Sequence, residues 1–137
     1  MKTFLNPQPY NPAGVVGLLR IVIGLLMVYH GQEVFQPALM QEYTKWEAFK
    51  GGAGVYMVYA GKTTELVAGL LLTLGLFTRV GALLLIGALS YIAFFVGNGR
   101  VWYEDQHPFM FVLFGVLFLF YGPGSWSLDE KFFRKTA

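Results

Sequence analysis

The sequence predicts an all-α integral membrane protein: a four-helix bundle with an amphipathic interfacial helix between the first and second spans and a short C-terminal helix. Charged residues make up 13% of the 137-residue chain, against roughly 25% in an ordinary soluble domain. Hydrophobic residues reach 55%, and the mean hydropathy is +0.52. Because a small domain has much surface to cover with polar groups, this composition excludes a soluble globular enzyme. We interpret residues 1–137 as a single membrane domain.

Apolar stretches locate four membrane spans, at about residues 13–35, 55–77, 80–99 and 107–122. Each has about the length of a helix that crosses the hydrocarbon core of a bilayer. The first span carries Arg20, and the second carries Lys62 and Glu65. An isolated charge is costly inside a bilayer. These three side chains are therefore predicted to face the bundle interior, to pair, or to extend to an interface.

Between the first two spans, residues 36–54 show the spacing of an amphipathic helix. The apolar members recur every three or four residues, at Leu39, Tyr43, Trp46 and Phe49. Charged and amide side chains occupy the other faces, so the pattern predicts a helix that lies in the membrane interface. The glycines that follow, Gly51, Gly52 and Gly54, are expected to end it. A solvated loop with scattered aromatic residues is the alternative.

The last part of the chain carries a helix stop followed by a helix start. The sequence Gly122-Pro123-Gly124 is expected to end the fourth span, because proline and glycine interrupt helices. Ser127 and Glu130 have the spacing of a capping box, in which each side chain accepts a hydrogen bond from a free backbone amide of the other. A short helix from Leu128 to Lys135 is therefore predicted.

The distribution of lysine and arginine predicts the orientation in the membrane. With both termini on one side, that side holds Lys2, Arg79, Lys131, Arg134 and Lys135. The opposite side holds Lys45, Lys50, Lys62 and Arg100. Positively charged loops tend to stay in the cytoplasm, so the count favours cytoplasmic termini by one residue. Arg20 interrupts the first apolar stretch and no small-residue cleavage site follows, so we interpret this stretch as a retained anchor.

Gly17, Gly24 and Gly31 repeat every seven residues along the first span. They therefore line one stripe of a helix and let a neighbouring backbone approach closely. Arg20 lies on the same stripe, which points it at another helix. Glu65 is its predicted partner, because the helical rise puts it within reach of a long guanidinium side chain. The two charges would form either a ligand or proton site, or a buried ion pair that fixes helix register.

His30, near the end of the first span, and His107, at the start of the fourth, lie on the same side of the predicted bundle. Two such histidines can ligate haem or a metal, or hydrogen-bond a quinone carbonyl. Haem is disfavoured because His107 precedes Pro108 and can lie outside the core. No metal site is predicted, and the absence of cysteine excludes thiolate ligands and dithiol chemistry. The candidate polar or ligand site is therefore His30 with Arg20 and Glu65.

Several short motifs stand in a fixed order along the chain. They are Leu18-Leu19-Arg20 with Gly24, His30-Gly31, Glu65 to Gly69, Gly75 to Arg79, Gly122-Pro123-Gly124 and Ser127-Leu128-Asp129. Together they resemble the DoxX family of small four-helix bacterial membrane proteins. The resemblance singles out the motif residues Gly31, Gly69, Gly75, Arg79, Gly122, Pro123 and Asp129. Arg79 is also explained as a cation beside the membrane that orients the hairpin between the second and third spans.

The resemblance implies a cellular location and partner proteins, but it implies no reaction mechanism. Named members are similar to a small subunit of a thiosulfate:quinone oxidoreductase or of a terminal oxidase assembly, and others join membrane-bound oxidoreductase complexes that handle thiol or oxidative stress. The implied location is the bacterial inner membrane, with partner subunits and with quinone as the implied cofactor. The fold is also similar to eukaryotic receptor-assembly chaperones and cargo receptors, which implies no redox chemistry.

Two functional hypotheses follow. In the first, the protein is a small membrane subunit of a quinone-linked or stress-related oxidoreductase complex, with no standalone activity, and Arg20, His30 and Glu65 line a quinone or proton site. In the second, it is a non-enzymatic scaffold or assembly chaperone in which the same charges lock helices together. A homo-oligomer is compatible with both. The net charge of +2 is too small to indicate a nucleic-acid partner, and four short helices without an inverted repeat disfavour a transporter.

Overall fold

The computed structural model describes residues 6–134. Every regular element within this range is helical. The α-helices are α1 (Pro12–Gly31), α2 (Pro37–Tyr43), α3 (Gly54–Leu74), α4 (Thr78–Tyr91), α5 (Gln106–Tyr121) and α6 (Leu128–Phe133). Two 3-10 turns and one π-helical turn extend or link them, at Gln32–Phe35, Glu47–Phe49 and Ile92–Val96. No strand occurs within residues 6–134, and the predicted all-α class is confirmed.

Local sequence sets where the long helices begin and end. α1 begins at Pro12, whose fixed φ suits the first helical position, and the Asn11 side chain accepts a hydrogen bond from the Gly14 amide at 3.1 Å. α3 is followed by Gly75 with a φ of +63°, a conformation that favours glycine. α5 is followed by Gly122 with a φ of +94°. The predicted stop after the fourth apolar stretch is therefore confirmed.

The four long helices lie where the apolar stretches predict spans. α1 with its 3-10 turn (Pro12–Phe35) and α4 with its π-helical turn (Thr78–Val96) are each long and apolar enough to cross a membrane. α5 is apolar but shorter, and α3 carries the charges of the second predicted span. α3 also ends at Leu74, sooner than the predicted end at residue 77. That all four helices cross the bilayer stays a prediction.

The most extensive contact between helices is that of α1 with α3, followed by that of α4 with α5 and then that of α3 with α4. Glycines allow the close approach of α1 and α3: a Cβ added at Gly24 would lie 2.5 Å from the Thr73 nitrogen, and one at Gly69 would lie 2.5 Å from the Val28 nitrogen. Gly24 and Gly31 of the predicted glycine stripe thus face α3, whereas Gly17 faces the Ser125 backbone. The buried apolar core contains Val16, Ile23, Met27, Ala68, Leu72, Ala82, Leu85, Leu89, Phe111, Val112 and Phe118.

The bundle has two ends. The terminal end holds the start of α1, the turn between α3 and α4, the end of α5, and α6. Backbone bonds close it, because the Ser125 amide donates to the Ala13 carbonyl and the Asp129 amide donates to the Gly75 carbonyl, each at 2.8 Å. The loop end holds the long connections 32–53 and 92–105. The terminal end is therefore tightly tied, whereas the loop end is built from longer connections.

The predicted continuous amphipathic helix over residues 36–54 is wrong. Only α2 and the 3-10 turn Glu47–Phe49 are helical there, and Trp46 between them is extended, with φ −67° and ψ 145°. Met40 is fully buried and Phe49 is half-buried. In one straight helix these two residues would lie on opposite faces at about 100° per residue, so both can turn toward the bundle only if the helix is interrupted.

The predicted C-terminal helix is present as α6, from Leu128 to Phe133. The Ser127 hydroxyl accepts a hydrogen bond from the Glu130 amide at 3.1 Å, so the serine half of the predicted capping box is confirmed. Lys135, the predicted end of this helix, and Lys2, used in the orientation count, lie outside the described residues. Of the three glycines predicted to end the helix before the second span, Gly51 and Gly52 lie in the link before α3. Gly54 is instead the first residue of α3.

Candidate functional site

Arg20 lies at the terminal end of the bundle and is fully buried. Its guanidinium donates hydrogen bonds to five backbone carbonyls from two separate segments of the chain. The acceptors are Pro123 (2.7 Å), Ser125 (3.1 Å), Trp126 (2.9 Å), Thr73 (3.2 Å) and Leu72. Arg20 thus fastens the segment after α5 to the last turn of α3.

The predicted Arg20–Glu65 pair is wrong. Glu65 lies seven residues before Leu72, which corresponds to about 10 Å along α3, and it pairs with Lys62 instead. The reason lies in where α3 ends. The last carbonyls of a helix have no intrahelical amide partner and carry the negative end of the helix dipole, so they attract a buried cation. Since Gly75 ends α3 early, these carbonyls lie within reach of Arg20.

A second group of polar side chains lies at the loop end and consists of Glu33, Tyr43, Lys62 and Glu65; we call it the polar cluster. The Lys62 ammonium lies 2.8 Å from a Glu33 carboxylate oxygen and 3.0 Å from a Glu65 carboxylate oxygen. The Tyr43 hydroxyl donates to Glu33 at 2.7 Å, and the ammonium lies 5.1 Å from the centre of the Tyr43 ring. One lysine therefore bridges two carboxylates from different elements.

Burial differs sharply within the polar cluster. The side chains of Lys62 and Glu33 are 16% and 17% exposed, whereas that of Glu65 is 4% exposed. Burial raises the pKa of the Tyr43 phenol above its ordinary value, and its hydrogen bond to the Glu33 carboxylate acts in the same direction. Tyr43 therefore keeps its proton and remains the donor to Glu33. The cluster runs from the rim of the bundle, at Glu33, to its interior, at Glu65.

The two histidines meet beside the polar cluster. The ring centres of His30 and His107 lie 6.2 Å apart in an edge-to-face arrangement. His30 is half-buried and His107 is exposed, so the two rings differ in depth. Within residues 6–134, no three side chains of the metal-ligating types come together in a possible metal site. His30 therefore belongs to the interior of the site and His107 to its edge.

A cavity of about 600 Å³ lies in the loop half of the bundle, between α3, α4 and the first turns of α5, and under residues 43–49. Its walls are mostly apolar, and its polar lining includes His30, Tyr43, Lys62, Glu65 and His107. Glu33 pairs with Lys62 but does not itself line the cavity. His30 and Glu65 are thus brought together as predicted, but Arg20 is at the opposite end of the bundle.

Sequence reasoning missed Tyr43 and Lys62 as members of this site. For Lys62 a signal was present, because a lysine and a glutamate three residues apart share one face of a helix, and here both stand inside an apolar stretch. Tyr43 gave no such signal. Its pattern resembled an interfacial aromatic residue, and its contact with Glu33 depends on how residues 32–46 fold back on α3.

Most of the motif residues do not line the cavity. Gly31 and Gly69 lie in the contact between α1 and α3, and Gly75 lies against the Arg20 guanidinium. Pro123 supplies one of the carbonyls that bind Arg20. The Asp129 carboxylate accepts hydrogen bonds from the Phe77 and Thr78 amides, at 2.6 and 2.8 Å, and so caps α4. Arg79 is exposed in the first turn of α4. The motifs therefore build helix contacts and the terminal end.

Comparison with known proteins identifies the family to which these motifs belong. The DoxX family model matches residues 15–98, more than half of the chain. The chain belongs to the DoxX family. The predicted resemblance is confirmed, and this DoxX protein is a membrane protein. The match includes Arg20, His30, Lys62 and Glu65, whereas His107 and the motifs of the terminal end beyond α5 lie outside it.

Two relatives of this DoxX protein come from different bacteria. An uncharacterized protein of Haemophilus influenzae is 30% identical over 137 residues, covering 95% of this chain and 98% of the relative. An uncharacterized membrane protein of Mycobacterium tuberculosis is 28% identical over 141 residues, covering 93% of this chain and 86% of the relative. No solved structure shows a significant match. The relatives therefore support the family and the membrane setting but name no reaction.

Proposed function

We propose that this DoxX protein is a quinone-binding membrane subunit of an oxidoreductase complex. The observation that carries the proposal is the cavity of about 600 Å³ in the loop half of the bundle, which has apolar walls and ionisable side chains at one end. Pockets of this kind, with a few convergent polar groups, are typical of small-molecule sites. A quinone has the matching chemistry, because its ring is apolar and its two carbonyls accept hydrogen bonds.

Each polar residue of the cavity has a definable role toward a quinone head group. The Lys62 ammonium and the His30 ring can donate hydrogen bonds to a quinone carbonyl. The Glu65 carboxylate can accept a hydrogen bond from a quinol hydroxyl, and Lys62 holds it in place. Because the chain contains no cysteine, thiol chemistry or an iron–sulfur cluster would have to come from a partner subunit of the complex.

Glu65→Gln and Glu33→Gln form a matched pair of variants that tests this site. Both substitutions remove one carboxylate charge from Lys62 and keep the side-chain shape, but only Glu65 lines the cavity. We expect Glu65→Gln to weaken binding of the quinol by about tenfold, roughly the value of the charge-assisted hydrogen bond from the quinol hydroxyl to the Glu65 carboxylate, whereas Glu33→Gln binds the quinol within about twofold of the wild type. The measurement is tryptophan fluorescence in nanodiscs kept under reducing conditions, titrated with the quinol, since Trp46 lines the cavity.

Purification from native membranes provides the second measurement. The proposal expects quinone or quinol to be found by mass spectrometry in the wild-type protein, together with an oxidoreductase subunit, and less of it in Glu65→Gln. Recovery of neither, and equal binding by the two variants, would rule the proposal out.

A scaffold or assembly factor is the second candidate function. The observation that favours it is the pairing within the polar cluster, since Lys62 contacts both carboxylates and the three charges can hold the 3-10 turn after α1 against α3 without a ligand. Under this function, the purified protein carries partner proteins but no quinone, and Glu65→Gln changes only the melting temperature in detergent. The presence or absence of bound quinone therefore separates the two functions.

The membrane arrangement is part of the proposal. We place all four long helices across the bacterial inner membrane, with the terminal end in the cytoplasm. Lys62 lies in the third turn of α3, inside a proposed span, so it does not count among the loop charges of the loop end. Without it, the excess of lysine and arginine at the terminal end grows, and the positive-inside rule favours cytoplasmic termini more strongly.

Single-cysteine labelling tests this orientation in a chain that has no native cysteine. Glu47→Cys at the loop end and Lys131→Cys at the terminal end both replace exposed side chains. In intact spheroplasts we expect a membrane-impermeant maleimide to label Glu47→Cys and to leave Lys131→Cys unlabelled until the membrane is opened. The reverse labelling pattern would invert the proposed orientation.

A further inference from the structure

Two glycines in the helices are explained neither by packing nor by backbone conformation. Ten glycines lie in the described α-helices. At eight of them an added Cβ would lie within 3.1 Å of a neighbouring atom, so a larger residue would clash or would force its neighbour to shift. At Gly61 of α3 and Gly87 of α4, an added Cβ would meet nothing within 4 Å, and neither residue has a positive φ. Since glycine weakens a helix relative to alanine, the presence of glycine at these two positions needs an explanation other than packing or backbone conformation.

Gly61 and Gly87 share a location. Both line the cavity, one from each side of the gap between α3 and α4. Leu83, one turn before Gly87, and Tyr91, one turn after it, also line the cavity and are exposed at the surface. The cavity therefore opens sideways between α3 and α4, and the two glycines flank this opening. In the proposed membrane arrangement the opening faces the lipid chains.

We infer that the gap between α3 and α4 is the portal for the isoprenoid tail of a membrane quinone, and that Gly61 and Gly87 keep it wide enough for that tail. This inference rests on the proposed function. A cavity of about 600 Å³ accommodates a head group and the start of a tail. The rest of a long tail has to continue out of the protein, and the lateral gap leads directly from the polar cluster to the bilayer.

Leucine at either glycine is designed to close the portal without touching the head-group site. We expect Gly87→Leu, and separately Gly61→Leu, to weaken the binding of a quinone with a long isoprenoid tail by about tenfold, whereas binding of the same head group without a tail stays within about twofold. Both affinities are measured by tryptophan quenching in phosphatidylcholine nanodiscs. The ratio of the two affinities, not either value alone, reports on the tail.

Alanine variants separate the portal from a structural role of these glycines. Gly61→Ala and Gly87→Ala are expected to melt at or above the wild-type temperature and to bind the long-tailed quinone normally, because a methyl group fits the open space. Gly69→Ala, in the same helix as Gly61, is the packing control. It is expected to melt lower, because its Cβ would lie 2.5 Å from the Val28 nitrogen.

The outcomes distinguish this inference from the proposed function. If the wild type binds neither quinone, both are overturned. If the wild type binds both quinones and the leucine variants do so equally well, the portal is overturned and the quinone site stands. If the leucine variants keep both affinities but change from oligomer to monomer in native mass spectrometry, the gap is a helix contact with a second copy and the portal is again overturned.

Discussion

Replacing Arg20 with lysine is expected to lower the free energy of unfolding by about 3 kcal/mol or more, which is the loss of at least one or two hydrogen bonds to a buried charged group. Arg20 donates to five backbone carbonyls. A lysine ammonium keeps the charge but has only three donors on one atom, so some of these carbonyls lose their partner. The melting temperature in detergent measures the effect.

Arg79→Lys is the matched control for Arg20→Lys. Arg79 is a motif residue at the same end of the bundle, but its side chain is exposed, and exposed substitutions usually change stability by less than about 0.5 kcal/mol. The expected loss in Arg20→Lys should also appear first at the terminal end, as faster hydrogen exchange in residues 122–129 than in α1. If Arg20→Lys melts at the wild-type temperature, the carbonyl contacts do not hold the terminal end together.

Replacing Lys62 with methionine is expected to destabilise the protein by about 3–5 kcal/mol, the usual result of removing one partner from a buried ion pair. Methionine keeps the apolar part of the side chain, but it leaves two carboxylates close together without a cation. The Glu65 carboxylate, at 4% exposure, contributes most of the lost stability, because water cannot solvate its charge. The measurement is again the melting temperature in detergent, followed by urea unfolding.

A rescue variant makes this prediction specific to charge. In Lys62→Met combined with Glu65→Gln, the buried charge is gone, so we expect most of the lost stability to return. Lys50→Met is the control, because Lys50 and Glu47 form a pair with the same three-residue spacing on the exposed surface, and such pairs contribute about 0–1 kcal/mol. Equal losses in Lys62→Met and Lys50→Met, or no rescue, would contradict the role given to the polar cluster.

Much of the helical framework could be predicted from the sequence, because it depends on local properties. The apolar stretches gave the positions of α1, α3, α4 and α5, and the Gly-Pro-Gly stop and the Ser127 cap gave the boundaries near the end of the chain. Gly24 and Gly31 of the predicted stripe correctly indicated the face of α1 that meets α3, whereas Gly17 meets the Ser125 backbone. These features depend on neighbours within a few residues, so no tertiary information was needed.

The candidate site was predicted only in part. Placing His30 and Glu65 together was correct, since both follow from helix positions near the loop end. The Arg20–Glu65 pair was wrong, because counting residues along helices gives an approximate depth, and it ignored backbone carbonyls as partners for a buried cation. The interfacial helix was wrong because periodicity cannot show that Met40 and Phe49 must both face the bundle.

By itself, the sequence determined that this DoxX protein is an all-helical membrane protein, and it identified the buried charges that need partners. Composition, periodicity and caps are properties of single segments, and a segment carries them wherever it lies. Only the tertiary structure decided which partner each charge takes, and that a cavity lies behind Gly61 and Gly87. These depend on contacts between residues far apart in the chain, which are set by where α3 ends and how residues 32–49 fold back over the bundle.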